Sequence, residues 1–209
     1  MSLGSLFRVF VTGTALFAFS CGGGSSDGTS SGSPSGSGSG TGITAGIDGT
    51  WDITAAGSGD IGPSEMTIAN GTVTGFIADR DEGKESDGCT NLKYRAEFRL
   101  TFEGNALSGT ITSVRAYEGG AQCTEMNRND VTPMSGSRTN AGSGLSGDWE
   151  VTVGGEAPFV VAVDGLTAKA WDKKAKANGK EPTVNVSVAG GNATVTDTKK
   201  TFSLAARKR

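Results

Sequence analysis

The sequence predicts an all-β fold, two tandem antiparallel β-meander repeats forming either two small barrels or sandwiches or one joint barrel. Three observations carry that expectation. Apolar and polar residues alternate with period two over several segments. Gly- and Asn-rich turns punctuate those segments at short intervals. One stretch also recurs: Gly46-Ile47-Asp48-Gly49-Thr50-Trp51-Asp52-Ile53-Thr54 returns as Gly144-Leu145-Ser146-Gly147-Asp148-Trp149-Glu150-Val151-Thr152.

In chain order, residues 1–20 read as an export signal: Arg8, then the apolar run Val9 to Phe19, then the small residue Ser20 before Cys21. As a helix that run rises only about 16 Å, against roughly 30 Å of hydrocarbon, so it is too short for a permanent span. Ala18-Phe19-Ser20-Cys21 resembles the lipobox of bacterial lipoproteins in its cysteine and in the small residue before it, departing from the usual pattern at Ala18 and Phe19. The resemblance implies cleavage before Cys21, lipidation of Cys21, and a membrane partner held through that lipid. With Gly22 following instead of Asp, it also implies a cell-envelope protein of the outer membrane. Residues 22–42 are 9 Gly, 8 Ser, 2 Thr, one Asp and one Pro. Such a tract buries too little to fold and acts as a loose leash with an end-to-end distance of about 25 Å.

The first repeat spans 43–139, a joint 140–146, and the second repeat 147–209. In the first, Leu92, Tyr94, Ala96, Phe98, Leu100 and Phe102 form a dry face, and Lys93, Arg95, Glu97, Arg99, Thr101 and Glu103 a wet one. Glu103-Gly104-Asn105 then reverses the chain. In the second, Trp149/Val151/Val153, Phe159/Val161/Val163 and Val184/Val186/Val188 alternate, with turns at Asp164-Gly165 and Gly190-Gly191-Asn192. Gly71 to Asp79 echoes Gly165 to Asp172, and Gly104-Asn105-Ala106 echoes Gly191-Asn192-Ala193. No convincing helix follows the signal; 168–178 has helix formers but lacks a core stripe. Arg207-Lys208-Arg209, with Lys199 and Lys200, reads as a solvated basic tail.

A turn near Gly104 places Cys89 and Cys123 together at the open end of one hairpin. A Cys89–Cys123 disulfide is expected there, and closing that loop stabilises by about 3–4 kcal/mol in the chain-entropy model.

Composition narrows the chemistry. Residues 43–139 carry 8 Lys/Arg against 14 Asp/Glu, and 147–209 carry 10 against 7, a balance that asks for no nucleic acid. The chain has no His, so the commonest general base and transition-metal ligand are missing. No enzyme, metal centre or cofactor is expected. The densest polar constellation holds Asp79, Asp81, Glu82, Glu85 and Asp87, interrupted by Arg80 and Lys84. It fails the spacing of a helix-loop-helix calcium loop and reads as a solvated acidic loop, with ion or partner contact as the rival reading. Trp51 and Trp149 read as core residues with the indole N–H bonded to backbone. Trp171, outside the repeated motif, is the candidate contact residue.

The opening G-x-W before antiparallel strands, and Leu100-Thr101-Phe102-Glu103-Gly104-Asn105-Ala106-Leu107-Ser108-Gly109-Thr110, resemble pieces of calycin-type barrels such as lipocalins and avidins. That resemblance implies a cavity for a small apolar ligand. Three functions follow as expectations: a non-catalytic tethered envelope lipoprotein that binds a partner or surface, a carrier of a small apolar molecule, and an inhibitor of an extracytoplasmic hydrolase that probes with its acidic loop.

Overall fold

Strands that are apolar on one face bury it when their sheet curls shut, and closure also removes both edges. The computed structural model of the chain describes residues 44, 47–55, 61–197 and 203–209. The expected signal, Cys21, the leash, Lys199 and Lys200 lie outside the described residues. In the first half run β1 (Gly49–Ala55), β2 (Ser64–Ala69), β3 (Thr72–Ala78), the two-residue β4 (Glu85–Ser86), β5 (Cys89–Glu103), β6 (Ala106–Gly119) and β7 (Arg128–Arg138). The second half holds β8 (Gly147–Val153), β9 (Phe159–Asp164), β10 (Thr167–Asp172), β11 (Val184–Ala189), β12 (Asn192–Asp197) and β13 (Ser203–Lys208).

All strands but β4 form one closed antiparallel barrel, not two. Each pairs with its neighbours in sequence, β3 with β5, and β1 with β13 closes the ring. β4 only caps the far end of β5.

The closing strand corrects one expectation. Arg207 and Lys208 belong to β13, opposite Asp52 and Trp51, and Arg209 binds Asp52 and Glu65. Leu204 and Ala206, buried in the core, hold that strand in place. Two small residues and one Leu are too brief a pattern to announce a strand.

Side chains from all twelve barrel strands fill the lumen as one contiguous core. Trp51, Met66, Ile111, Met134 and Trp149 are fully buried in it. Phe102 on β5 meets Trp149 on β8 edge-to-face, ring centroids 5.6 Å apart. The outer wall carries Lys93, Glu97, Arg99, Thr101, Glu103 and Lys169, the inverse of a lipid-facing barrel. Among the described residues no helix is long and apolar enough to cross a membrane.

The two ends of the barrel differ. One has two-residue turns at 70–71, 104–105, 165–166 and 190–191, plus the connection 139–146. Both core tryptophans sit near this end, as expected. Trp51 donates its indole N–H to Ile47 O at 3.0 Å, and Trp149 to Leu145 O at 2.8 Å. Arg138 reaches from β7 to bind Asn105 Oδ1, Gly144 O and Ser146 O, with its guanidinium over the Trp149 ring.

The other end carries the longer connections. Among the described residues two short helices lie here, a departure from the helix-free expectation: α1 (Ala121–Thr124) and α2 (Lys173–Ala177). Asp172 caps α2, accepting from Lys174 N and Ala175 N. Propensity and a cap suffice for one turn, and α2 buries nothing, so it leaves no stripe to read.

Candidate functional site

Loops placed on a rigid scaffold are where binding residues concentrate, so the rim with the long connections is the candidate surface. Its chief feature is a finger. β5 pairs with β3 only from Arg95 to Thr101, yet it continues beside β6 as far as Cys89 opposite Gly119. The hairpin thus overshoots the barrel.

The Cys89–Cys123 disulfide closes the finger at its open end, Sγ–Sγ 2.02 Å and Cα–Cα 5.6 Å. The two cysteines are not cross-strand partners. Cys123 sits on α1, which folds back over Gly119. A Cβ there would lie 2.7 Å from Cys123 Sγ and 2.9 Å from Gly88 O. Glycine is what lets the bridge lie against the strand.

A β-bulge also changes the expected face. The register slips between Asn91 and Lys93, which turns Leu92 out to 49% exposure and Asn91 in to 7%. The dry face therefore runs through Phe98, Leu100 and Phe102, with Ala96 partly buried beside them, and Leu92 does not join it. One extra residue in a strand reverses every side chain beyond it.

The acidic segment packs along this finger and largely satisfies itself. Asp79 is buried and accepts Asp81 N at 3.0 Å. Asp81 pairs with Lys84 at 3.2 Å and Arg80 at 3.7 Å. Glu82 accepts Tyr94 N at 2.9 Å and Arg95 Nε at 3.0 Å, and forms an ion pair with Arg95 Nη2. Arg95 in turn lies 4.1 Å over the Phe76 ring. Glu85 is exposed in β4, and Asp87 is exposed at positive φ beside Gly88. Among the described residues no group of three or more acidic or Cys side chains converges as a metal site.

Burial pushes the Glu82 carboxyl up, but the Arg95 and Tyr94 hydrogen bonds and nearby cations outweigh it. Its net pKa falls below the ordinary 4.5. A depressed folded pKa means the stabilisation is full above the unfolded value and is lost as pH falls through the folded one. Glu82→Gln is therefore expected to cost about 1–2 kcal/mol at pH 7 and almost nothing at pH 2. Urea titrations at both pH values check this; an equal cost at each would mean that charge is not what Glu82 contributes.

Trp171 stands on the same rim, but four strands separate β10 from β5 in the sheet. It is half-buried, donates Nε1–H to Lys180 O at 3.0 Å, and has Lys176 Nζ 5.1 Å from its ring centroid. The indole thus anchors the connection holding α2. The acidic segment and Trp171 do not come together in one site.

Two shallow hollows mark the outer wall, neither singled out by the sequence. One, about 310 Å³, is lined by Thr74, Phe76, Glu97, Arg99, Thr110 and Thr112. The other, about 320 Å³, is lined by Thr167, Lys169, Asn185, Ser187, Thr194 and Thr196. Outward Thr and charged residues of a period-two pattern read simply as solvent-facing, so no signal separated them. The class these features define is a closed up-and-down barrel with a packed lumen and a polar outer wall. Compared with known proteins, the chain matches no family model, no curated protein and no solved structure.

Proposed function

We propose that the chain is a non-catalytic, membrane-tethered envelope lipoprotein that presents the rim of a packed barrel to a protein partner. The observation that carries the reading is the filled lumen. Trp51, Trp149, Met66 and Met134 occupy the space a carrier would need for its ligand, which leaves the outside of the barrel for recognition. The finger, its disulfide and the exposed Glu85 and Asp87 all lie at one rim. Residue 44 and the start of β1 lie at the opposite end, so a leash running from Cys21 to residue 42 would hold the finger away from its anchor.

Two six-strand copies, β1–β7 without β4 and β8–β13, account for the ring. Equivalent hydrogen bonds support this division. Phe102 N donates to Gly71 O as Val188 N does to Leu166 O; Arg138 N donates to Asn105 O as Lys208 N does to Gly191 O. Thr139 N donates to Asp148 O as Arg209 N does to Thr50 O. Counting pairing partners outward from Trp51 and Trp149, Phe76 and Trp171 occupy matching places, each under a cation.

The test is expression of the full chain in a bacterial host. The mature N-terminal peptide should begin at Cys21 and carry acyl mass, and the protein should partition into the detergent phase. Cys21→Ala should abolish both. An unmodified Cys21 on a water-soluble product would overturn the tether. For the rim, Glu85→Lys with Asp87→Lys should weaken capture of a cross-linked envelope partner; capture unchanged by these reversals would exclude the acidic rim as the contact.

A further inference from the structure

β7 is longer than the strand beside it. β6 pairs with β7 from Arg128 to Ser137, whereas β8 pairs only with Met134–Arg138. Residues of an antiparallel strand turn their N–H and C=O alternately to one neighbour and the other. Arg138 N–H bonds to Asn105 O on the β6 side; Pro133 O accepts Gly154 N–H, and Thr139 N–H reaches Asp148 O, on the β8 side. Odd-numbered residues of β7 therefore face β8. Asn129 and Val131 consequently point four backbone groups past the end of β8, and no described residue pairs with them. Val131 is also 60% exposed, the most exposed large apolar side chain among the described residues.

A strand that complements this edge antiparallel needs an anion opposite Arg128 and a cation opposite Asp130. Read from N to C, that complement is cation-x-anion, the order of Arg128-Asn129-Asp130 itself. We propose that two copies of the chain pair antiparallel along this edge, about a two-fold axis at Asn129. Arg128 of each copy then faces Asp130 of the other, and the two Asn129 backbones exchange two hydrogen bonds. A two-fold at Asp130 would set carboxylate against carboxylate and is disfavoured. Arg128 Nη1 donates to Glu125 O at 2.8 Å and to Asn127 O at 2.7 Å, which fixes the guanidinium beside the start of β7. The axis lies four residues beyond Pro133, about 13 Å along the strand from where β8 takes up its pairing. Pro133 ends the edge and keeps the pairing to a closed pair of copies. This inference is independent of the lipid anchor.

Few backbone bonds are involved, so the dimer is weak, with a Kd of roughly 0.1–1 mM. Sedimentation velocity of the full chain from about 10 μM to about 2 mM should show concentration-dependent association. Asp130→Arg, which sets Arg against Arg twice, should raise Kd about tenfold. Arg128→Asp combined with Asp130→Arg restores the complement and should bring Kd back to within about twofold of the original. In the unaltered chain, amide exchange at Asn129 should slow as concentration rises, a readout that needs no variant. A monomer at every concentration, or association untouched by Asp130→Arg, or exchange at Asn129 independent of concentration, would overturn the proposal.

Discussion

Trp149→Ala is expected to destabilise the barrel by about 4 kcal/mol and lower its Tm by roughly 10 °C. The indole is completely buried, so its removal leaves a cavity near the barrel's short-turn end. Three further contacts go with it: the bond to Leu145 O, the edge-to-face contact with Phe102, and the ring under Arg138. Leu145 is itself 3% exposed, so its carbonyl loses a partner away from water. Trp149→Phe keeps most of the volume and should cost about 1–2 kcal/mol. Trp51→Ala should match Trp149→Ala to within about 1 kcal/mol if the two halves are copies in energy as well as in pattern. Urea denaturation of the three variants decides it. A Trp149→Ala protein that melts with the wild type would mean that the lumen is not what holds the sheet closed.

The second large effect is expected at Gly109. Its φ is +155°, and a Cβ built there would sit 2.1 Å from Arg99 O and 2.8 Å from Leu100 Cα. Those atoms belong to the facing strand β5, so relief requires the β5–β6 ladder itself to move. A Cβ at Gly75 would meet Glu65 O at 2.2 Å and Phe98 at 2.9 Å, so glycines on both neighbouring strands stand opposite Phe98 and Leu100 of β5. Gly109→Ala should therefore cost more than about 3 kcal/mol and lower the yield of folded protein. Gly104→Ala is the control. That turn residue has φ +57° and nothing within 4 Å of a Cβ, so only the left-handed penalty of about 1–2 kcal/mol applies. Equal losses at the two positions would remove the close-approach argument.

Much of this barrel could be read from local pattern. Phe98, Leu100 and Phe102, the valines of β8, β9 and β11, the Gly104-Asn105 turn and the neighbourhood of Cys89 and Cys123 all follow from period two and hairpin geometry. What escaped has a physical reason in each case. Closure depends on Trp51 meeting Lys208 across the chain, and no local signal reports such a pairing. The bulge at Leu92 looks like ordinary alternation until the partner strand is known. Trp171 lies outside the closely recurring stretch, so no sequence pattern reports that its indole bonds Lys180 O and steadies the connection holding α2. The free edge of β7 reflects a difference in length between neighbouring strands, and a single strand cannot reveal that.

The seam between β1 and β13 also bears on how the protein reaches its native state. Asp52 and Arg209, 157 residues apart, meet across it. As the chain emerges in order, hairpins can form early from contacts a few residues apart, but the ring stays open until residues 203–208 arrive. During that interval β1 and β12 present bare backbone, so the last step is a slow, high-contact-order docking. Conditions that delay the arrival of β13 would favour intermolecular pairing over closure, which makes this seam the point in folding most exposed to aggregation.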